Sequence, residues 1–258
     1  MRTITLTTDF GTRDGYVAAM KGVVLNLNPG VTIVDVTHDV PPQAIQAGGF
    51  ALMNAAPYFP RGTIHVVVVD PGVGGPRRPI ALERDGQIFI GPDNGLLPLA
   101  AAQPGGDEAA WHVVHLTERR YWRPTVSQTF HGRDIFAPVA AHLSLGVPVT
   151  ALGSVIRDYV NASFPLPRAD GRALAGEIVH IDHFGNCISN IAGERVPAAA
   201  SVRLGERVVS GVRRTYADGA PGEVMALVGS TGYLEIAVRE GDAARTLNAQ
   251  VGDAVYVE

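Results

Sequence analysis

The chain has a single cysteine, Cys187, among 258 residues. No intrachain disulfide can form, and a zinc site built on several thiolates is excluded. Neither sign of charge dominates. Lys and Arg number 21 against 25 Asp and Glu, for a net charge of -4 and a pI near 6.1. That balance argues against general nucleic-acid binding, and the pairs Arg119-Arg120 and Arg213-Arg214 read as solvated surface. No apolar run approaches the roughly 20 residues needed to cross a bilayer. The opening residues lack the apolar core of a signal peptide, so a soluble cytoplasmic protein without membrane partners is expected. The histidines follow neither HExxH nor HxxEH spacing, so no metal ligands are expected. There is no internal repeat and no low-complexity tract.

What is present is enough apolar material for a sizeable core, 46% of the residues. The first part alternates strand and helix signals. Thr3–Thr8 reads as a strand and Tyr16–Leu27 as a helix with Asp14 as its N-cap. Val31–Thr37 reads as a strand, Gln43–Ala55 as a helix, Ile64–Val69 as a third strand and Ile88–Ile90 as a short fourth. That order predicts an α/β domain with a central, mostly parallel sheet. Phe164-Pro165-Leu166-Pro167-Arg168 reads as a linker. Beyond it, Ala175–Ile181, Ser201–Arg203, Glu223–Val228, Tyr233–Val238 and Ala254–Val257 are short strands at regular spacing, the pattern of a small antiparallel β-barrel. Two domains are expected, 1–165 and 166–258.

The chemistry centres on Val66-Val67-Val68-Val69-Asp70-Pro71-Gly72. Four β-branched residues favour a buried strand, and Pro71 and Gly72 stop it at once. Asp70 is therefore held at a strand end, where open α/β sheets place their ligands. Asp9 ends the first strand and shares that edge if the two strands are neighbours. A turn or capping role is the plainer account of both. Arg77 lies seven residues beyond Asp70, and His131 sits in Thr129-Phe130-His131-Gly132-Arg133-Asp134. An Asp–His pair can hold an imidazole tautomer, and an arginine stabilises an adjacent anion. Together the three suggest hydrolysis or group transfer. Asp182-His183-Phe184-Gly185-Asn186 reads either as an Asn/Gly turn or as a ligand site. Gly91-Pro92-Asp93-Asn94-Gly95 reads as a turn. Gly229-Ser230-Thr231-Gly232 is a loop whose amides can bind an anion, without the lysine of a phosphate loop.

Taken in order, these segments resemble the S-adenosyl-L-methionine hydroxide adenosyltransferase family, relatives of fluorinase and chlorinase. The matching stretches are Thr7–Gly11, Val34–His38, Val69–Gly74, Pro92–Leu97, Thr129–Asp134, Ile181–Asn186 and Ser230–Leu234. The resemblance implies an α/β domain followed by a β-barrel, a homotrimer, and hydrolysis of S-adenosyl-L-methionine to adenosine and L-methionine, with no cofactor beyond the substrate. It implies that Asp70, Arg77 and His131 orient and activate water, with Arg78 the adjacent alternative to Arg77. It places Asp9 on the ribose diol, Phe184, Asn186 and Tyr216 around adenine, and Asp182, Ser230 and Thr231 at the methionine end. Halogenating relatives carry tyrosine at the position of Asp70, and fluorinase carries tyrosine at that of His131. Fluorinase also has an aromatic residue near Gln43 and an arginine at Thr231. A carboxylate facing the nucleophile repels halide and tolerates water. A 5′-chloroadenosine-forming halogenase, a non-catalytic binder of the same ligand and a metal-dependent phosphoesterase are the alternative readings.

Overall fold

The computed structural model describes residues 2–102 and 111–258, which divide into two compact units, 1–163 and 164–258. Strand–helix alternation in the first unit produces a seven-stranded sheet. Its strands are β1 (Thr3–Thr8), β2 (Thr32–Thr37), β3 (Ile64–Val68), β4 (Pro79–Arg84), β5 (Gln87–Pro92), β6 (His112–Leu116) and β7 (Gly153–Val155), in the order β2-β1-β3-β5-β4-β6-β7. The first four in that order run parallel, and β4, β6 and β7 join antiparallel. The sheet is thus mixed: its parallel half carries the early strands, and the β4–β5 hairpin reverses the direction.

The β-branched run on β3 is buried on both faces because helices cover both. Ile64, Val66 and Val68 pack with α1 (Tyr16–Leu27) and α4 (Ala137–Ser144). Val67 and Val69 point the other way, toward α2 (Ile45–Ala55) and α3 (Leu96–Ala101). This is the two-residue alternation of an extended chain. Each of these side chains stabilises the fold by roughly 1.5–3 kcal/mol on full burial. Asp14 does not cap α1. The N-cap is Gly15, and no side chain bonds there. Nor does α2 begin at Gln43, whose φ is +66°.

The second unit contains β8 (Arg168–Asp170), β9 (Ala173–Ile181), β10 (Cys187–Ala192), β11 (Ser201–Leu204), β12 (Arg207–Ser210), β13 (Val212–Arg213), β14 (Val224–Val228), β15 (Tyr233–Val238) and β16 (Ala254–Val257). They form one sheet in the order β12-β11-β16-β9-β10-β15-β14-β13, with β8 on β9. All pairings are antiparallel except β13 with β14. Contact between β12 and β14 brings the sheet close to a closed barrel, around a core that includes Ile178, Cys187, Ile191, Val202, Leu234, Ile236 and Val255. Arg168, read from the sequence as the last residue of a linker, is the first residue of a strand, Arg168–Asp170. A short helix, α5 (Ala243–Leu247), is capped by the Asp242 side chain.

Candidate active site

The strand order explains where a site can form. From β1 the chain passes through α1 to β2 on one side. It then returns through α2 to β3 on the other side of β1. Ligands of such sheets bind beyond the carboxyl ends of the strands where the connections diverge. Thr8 of β1 pairs with Val68 of β3, so Asp9 and Asp70 leave the sheet side by side, as their strand-end positions suggest.

The Asp70 side chain is 4% exposed and that of Arg77 9%. The tight turn after β3 closes with Val73 N donating to Asp70 O at 3.2 Å and Gly75 N to Gly72 O at 3.0 Å, which returns the chain so that Arg77 faces Asp70. Arg77 Nε donates to Asp70 Oδ1 at 3.0 Å, and Nη2 donates to Asp70 Oδ2. The same Nη2 meets His131 Nδ1 at 2.7 Å. A guanidinium only donates. His131 Nδ1 must therefore accept, so the neutral ring carries its proton on Nε2. Burial lowers the His131 pKa below the usual 6.5, and the positive charge of Arg77 lowers it further, against smaller opposing effects of Asp70 and Asp134. Burial and the arginine that orients the ring both disfavour its protonated form.

This corrects the expectation of a direct Asp–His pair. The arginine lies between the two, and one guanidinium sets both. Its underside lies over the Phe136 ring, 5.5 Å from the centroid. Arg78 is engaged elsewhere: Nε donates to Asp93 Oδ2 at 2.8 Å, Nη1 to Asp158 Oδ1 at 2.9 Å and Nη2 to the Asp158 carbonyl at 2.8 Å.

The Asp9 turn is built from neighbouring polar atoms. Thr8 Oγ1 meets His38 Nδ1 at 2.8 Å, and Gly11 N donates to the His38 carbonyl at 2.8 Å. Asp9 Oδ2 accepts from Gln43 N at 2.9 Å. Phe10, Tyr16 and Phe130 form an edge-to-face trio with centroids 5.3–6.0 Å apart.

In the second unit, Asp182 organises its own loop. Oδ1 accepts from Phe184 N and Asn186 N, and Oδ2 from Asn186 Nδ2, all at 2.9 Å. The result leaves the Phe184 ring 71% exposed over an ordered turn, while Asn186 is buried. The turn reading of this segment holds, and an Asx-type turn is what presents the ring. Ser230 and Thr231 sit on the β14–β15 loop, closed by Gly229 N to Tyr233 O at 2.9 Å. Thr231 Oγ1 is buried and has no hydrogen-bond partner among the described residues. Tyr216 donates its hydroxyl to Glu235. Glu235 is almost fully buried on β15, and burial pushes its pKa up, partly offset by the Tyr216 bond. Sequence reading missed Glu235 because an acid within Tyr-Leu-Glu-Ile-Ala-Val reads as the solvent face of a strand.

Asn94 is also a connector. Its Nδ2 donates to the Val69 carbonyl at 3.0 Å and its Oδ1 accepts from Leu96 N at 3.1 Å, tying the end of β3 to the start of α3. Among the described residues no group of three His, Cys, Asp or Glu side chains is placed to hold a metal ion, and no helix is long and apolar enough to span a membrane.

Comparison with known proteins covers both units. The family descriptions "SAM hydroxide adenosyltransferase N-terminal domain" and "C-terminal domain" match residues 4–153 and 176–256. The chain is 44% identical over 257 residues to an (R)-S-adenosyl-L-methionine hydrolase of Salinispora tropica, covering 98% of this chain and 97% of that one. It is 29% identical over 294 residues to a fluorinase of an Actinoplanes species, covering 98% and 96%. A crystal structure of an uncharacterized conserved protein from Thermotoga maritima matches with a TM-score of 0.88 at 32% identity, covering 100% of this chain and 99% of that one. With both halves matched in order along nearly its whole length, the chain belongs to the SAM hydroxide adenosyltransferase family.

Proposed function

We propose that the protein hydrolyses S-adenosyl-L-methionine to adenosine and L-methionine, and that Asp70, Arg77 and His131 handle the water. The observation that carries this reading is the single guanidinium gripping a buried carboxylate on one side and a neutral imidazole on the other.

The reaction is an in-line displacement at C5′. The water oxygen bonds to C5′ while the C5′–S bond breaks, and its electron pair passes to sulfur. The leaving thioether is neutral, so it needs no acid. The difficulty lies with the nucleophile, because forming hydroxide from water of pKa 15.7 at pH 7 costs roughly 12 kcal/mol. That cost is avoided if the proton leaves late. Oxygen bonded to C5′ with both protons still on it is strongly acidic, so a weak base suffices. Asp70 is that base: each carboxylate oxygen has a lone pair beyond its bond to Arg77. The proton then passes to solvent. His131 Nε2–H donates to one lone pair of the water and leaves the other for attack. Such positioning removes on the order of 7–11 kcal/mol of barrier when the reacting atoms are held about 3–3.5 Å apart.

Asp9 would hold the ribose diol, since Gln43 N engages only one of its oxygens. The exposed Phe184 ring, with Asn186 and Tyr216, would take adenine. Asp182, Ser230 and the unpartnered Thr231 hydroxyl would take the methionine end. The homotrimer implied by the family resemblance and a cytoplasmic setting belong to the same proposal.

Incubation of the purified protein with S-adenosyl-L-methionine in oxygen-18 water tests it. Label is expected in the adenosine 5′-hydroxyl. Formation of 5′-chloroadenosine in chloride buffer at a comparable rate would move the assignment to a halogenase. Binding without turnover would leave only a ligand-binding protein.

A further inference from the structure

Asp134 has no accessible surface, yet it is a carboxylate with four donors around it. Arg123 Nη1 and Arg133 Nε donate to Oδ1 at 2.8 and 2.7 Å. Arg133 Nη2 and Ser127 N donate to Oδ2, both at 2.9 Å. Burial pushes its pKa up, but Arg133, Ser127 N–H and Arg123 together prevail and hold it at about 2. The main chain adds two bonds, Arg123 N to Asp134 O at 2.9 Å and Asp134 N to Phe130 O at 3.2 Å. The segment 123–130 is thus folded back onto one residue.

Asp134 lies in a π-helical turn, Gly132–Phe136, that begins directly after His131 and runs into α4. Such turns frequently mark functional positions. The anchored segment touches both halves of the site in this unit. At one end the Gln128 carbonyl lies so close to Gly74, whose φ is +76°, that a Cβ there would stand 2.3 Å from it. Gly74 belongs to the turn between Asp70 and Arg77. At the other end Gly132 lies against Phe10, next to Asp9, where a Cβ would come within 3.4 Å of the ring. Arg133, held by Asp134, also covers the Phe130 ring at 5.0 Å.

We propose that Asp134 is a positioning residue for the hydrolysis: by gathering Arg123, Arg133 and the Ser127 amide, it holds segment 127–131 between the Asp70–Arg77 turn and the Asp9 turn, and so fixes where His131 meets Arg77. The proposal rests on the assignment of water handling to Asp70, Arg77 and His131. Asp134 touches neither water nor substrate in this scheme, so its loss should act on turnover and spare binding.

The test compares Asp134→Asn, Arg123→Met and Asp70→Asn in the full chain. The fraction of molecules able to bind S-adenosyl-L-methionine is measured by calorimetry beside kcat and KM. Asp134→Asn keeps the shape but replaces the acceptor pair with a mixed amide. A fall in kcat of about 10- to 100-fold is expected, with KM within about threefold and full binding stoichiometry, since small misplacements act on this scale. Arg123→Met removes one donor while leaving the acid paired, so it should fold and lose kcat in the same sense by less. Two results overturn the proposal: Asp134→Asn that binds fully and turns over normally, or Arg123→Met whose kcat falls only in proportion to lost binding-competent protein. Turnover retained in Asp70→Asn would instead sink the water-handling assignment itself.

Discussion

Arg77 gives Asp70 two hydrogen bonds and His131 one. Because the arginine never gives up its charge, it disfavours a second cation beside it. Protonating His131 would put a proton on Nδ1, facing the guanidinium, and break the contact. The neutral ring is the working form, and its pKa lies below 6.5. Turnover should therefore be level from pH 8 to 6.5 and fall as the pH drops through the depressed value. A pH profile of kcat measures this, and an acid limb centred above 6.5 would contradict it. Adjacent residues show what sequence spacing leaves undecided. Arg77 and Arg78 are equivalent on paper. The turn after β3 gives the first to Asp70, while the second, at the start of β4, reaches Asp93 and Asp158. Asp134 closes the stretch Thr129–Asp134, but nothing in the one-dimensional pattern indicates four converging donors.

The buried run on β3 was legible because burial on both faces demands an unbroken β-branched stretch, and parallel pairing with β1 follows from the helices that intervene. The hairpin strand β4, with β6 and β7, was not legible. β4 and β6 mix Pro, Glu, Arg and His, and β7 is only Gly153–Val155, so pairing with neighbouring strands rather than local propensity makes them strands. The same tertiary control governs the turns. Replacing Gly74 with Ala demands both a left-handed φ and room that the Gln128 carbonyl occupies. Gly74→Ala should lower the melting temperature only modestly but reduce kcat at least tenfold, by separating the loops that carry Arg77 and His131; parallel steady-state and melting measurements check it. Within β3 itself, His65 is fully buried, bonded through Nδ1 to Thr5 Oγ1 at 2.7 Å and stacked on Phe89. Burial pushes its pKa down to about 4. The unfolded chain binds this proton near pH 6.5, so the fold loses stability as pH falls from 6.5 toward 4. The loss approaches roughly 3 kcal/mol at about 1.4 kcal/mol per pH unit. Urea unfolding at pH 7 and pH 5 should show it, and His65→Gln should flatten the difference.

Each unit has its own core, and each gathers its own share of the predicted site residues: Asp9, Asp70, Arg77 and His131 in the first, Asp182, Phe184, Asn186, Tyr216, Ser230 and Thr231 in the second. The strand spacing and the Pro-rich stretch near residue 165 made this bipartite plan readable. The Glu235–Tyr216 bond was not, because its partners lie 19 residues apart. The proposed homotrimer should give a light-scattering mass of three times the 27.2 kDa subunit. A monomeric mass with full activity would remove the trimer from the scheme.

The Asp70–Arg77 pair has a consequence for the ionic medium. A lone buried guanidinium would be a chloride trap, since it offers charge and donors to any small anion. Here the carboxylate already fills that role, and the pair is close to electrically neutral as a unit. Dissolved halide gains little by entering, and screening reaches a buried pair weakly. Turnover should accordingly be indifferent to whether the supporting salt is chloride or a bulky organic anion, from dilute buffer to strong brine.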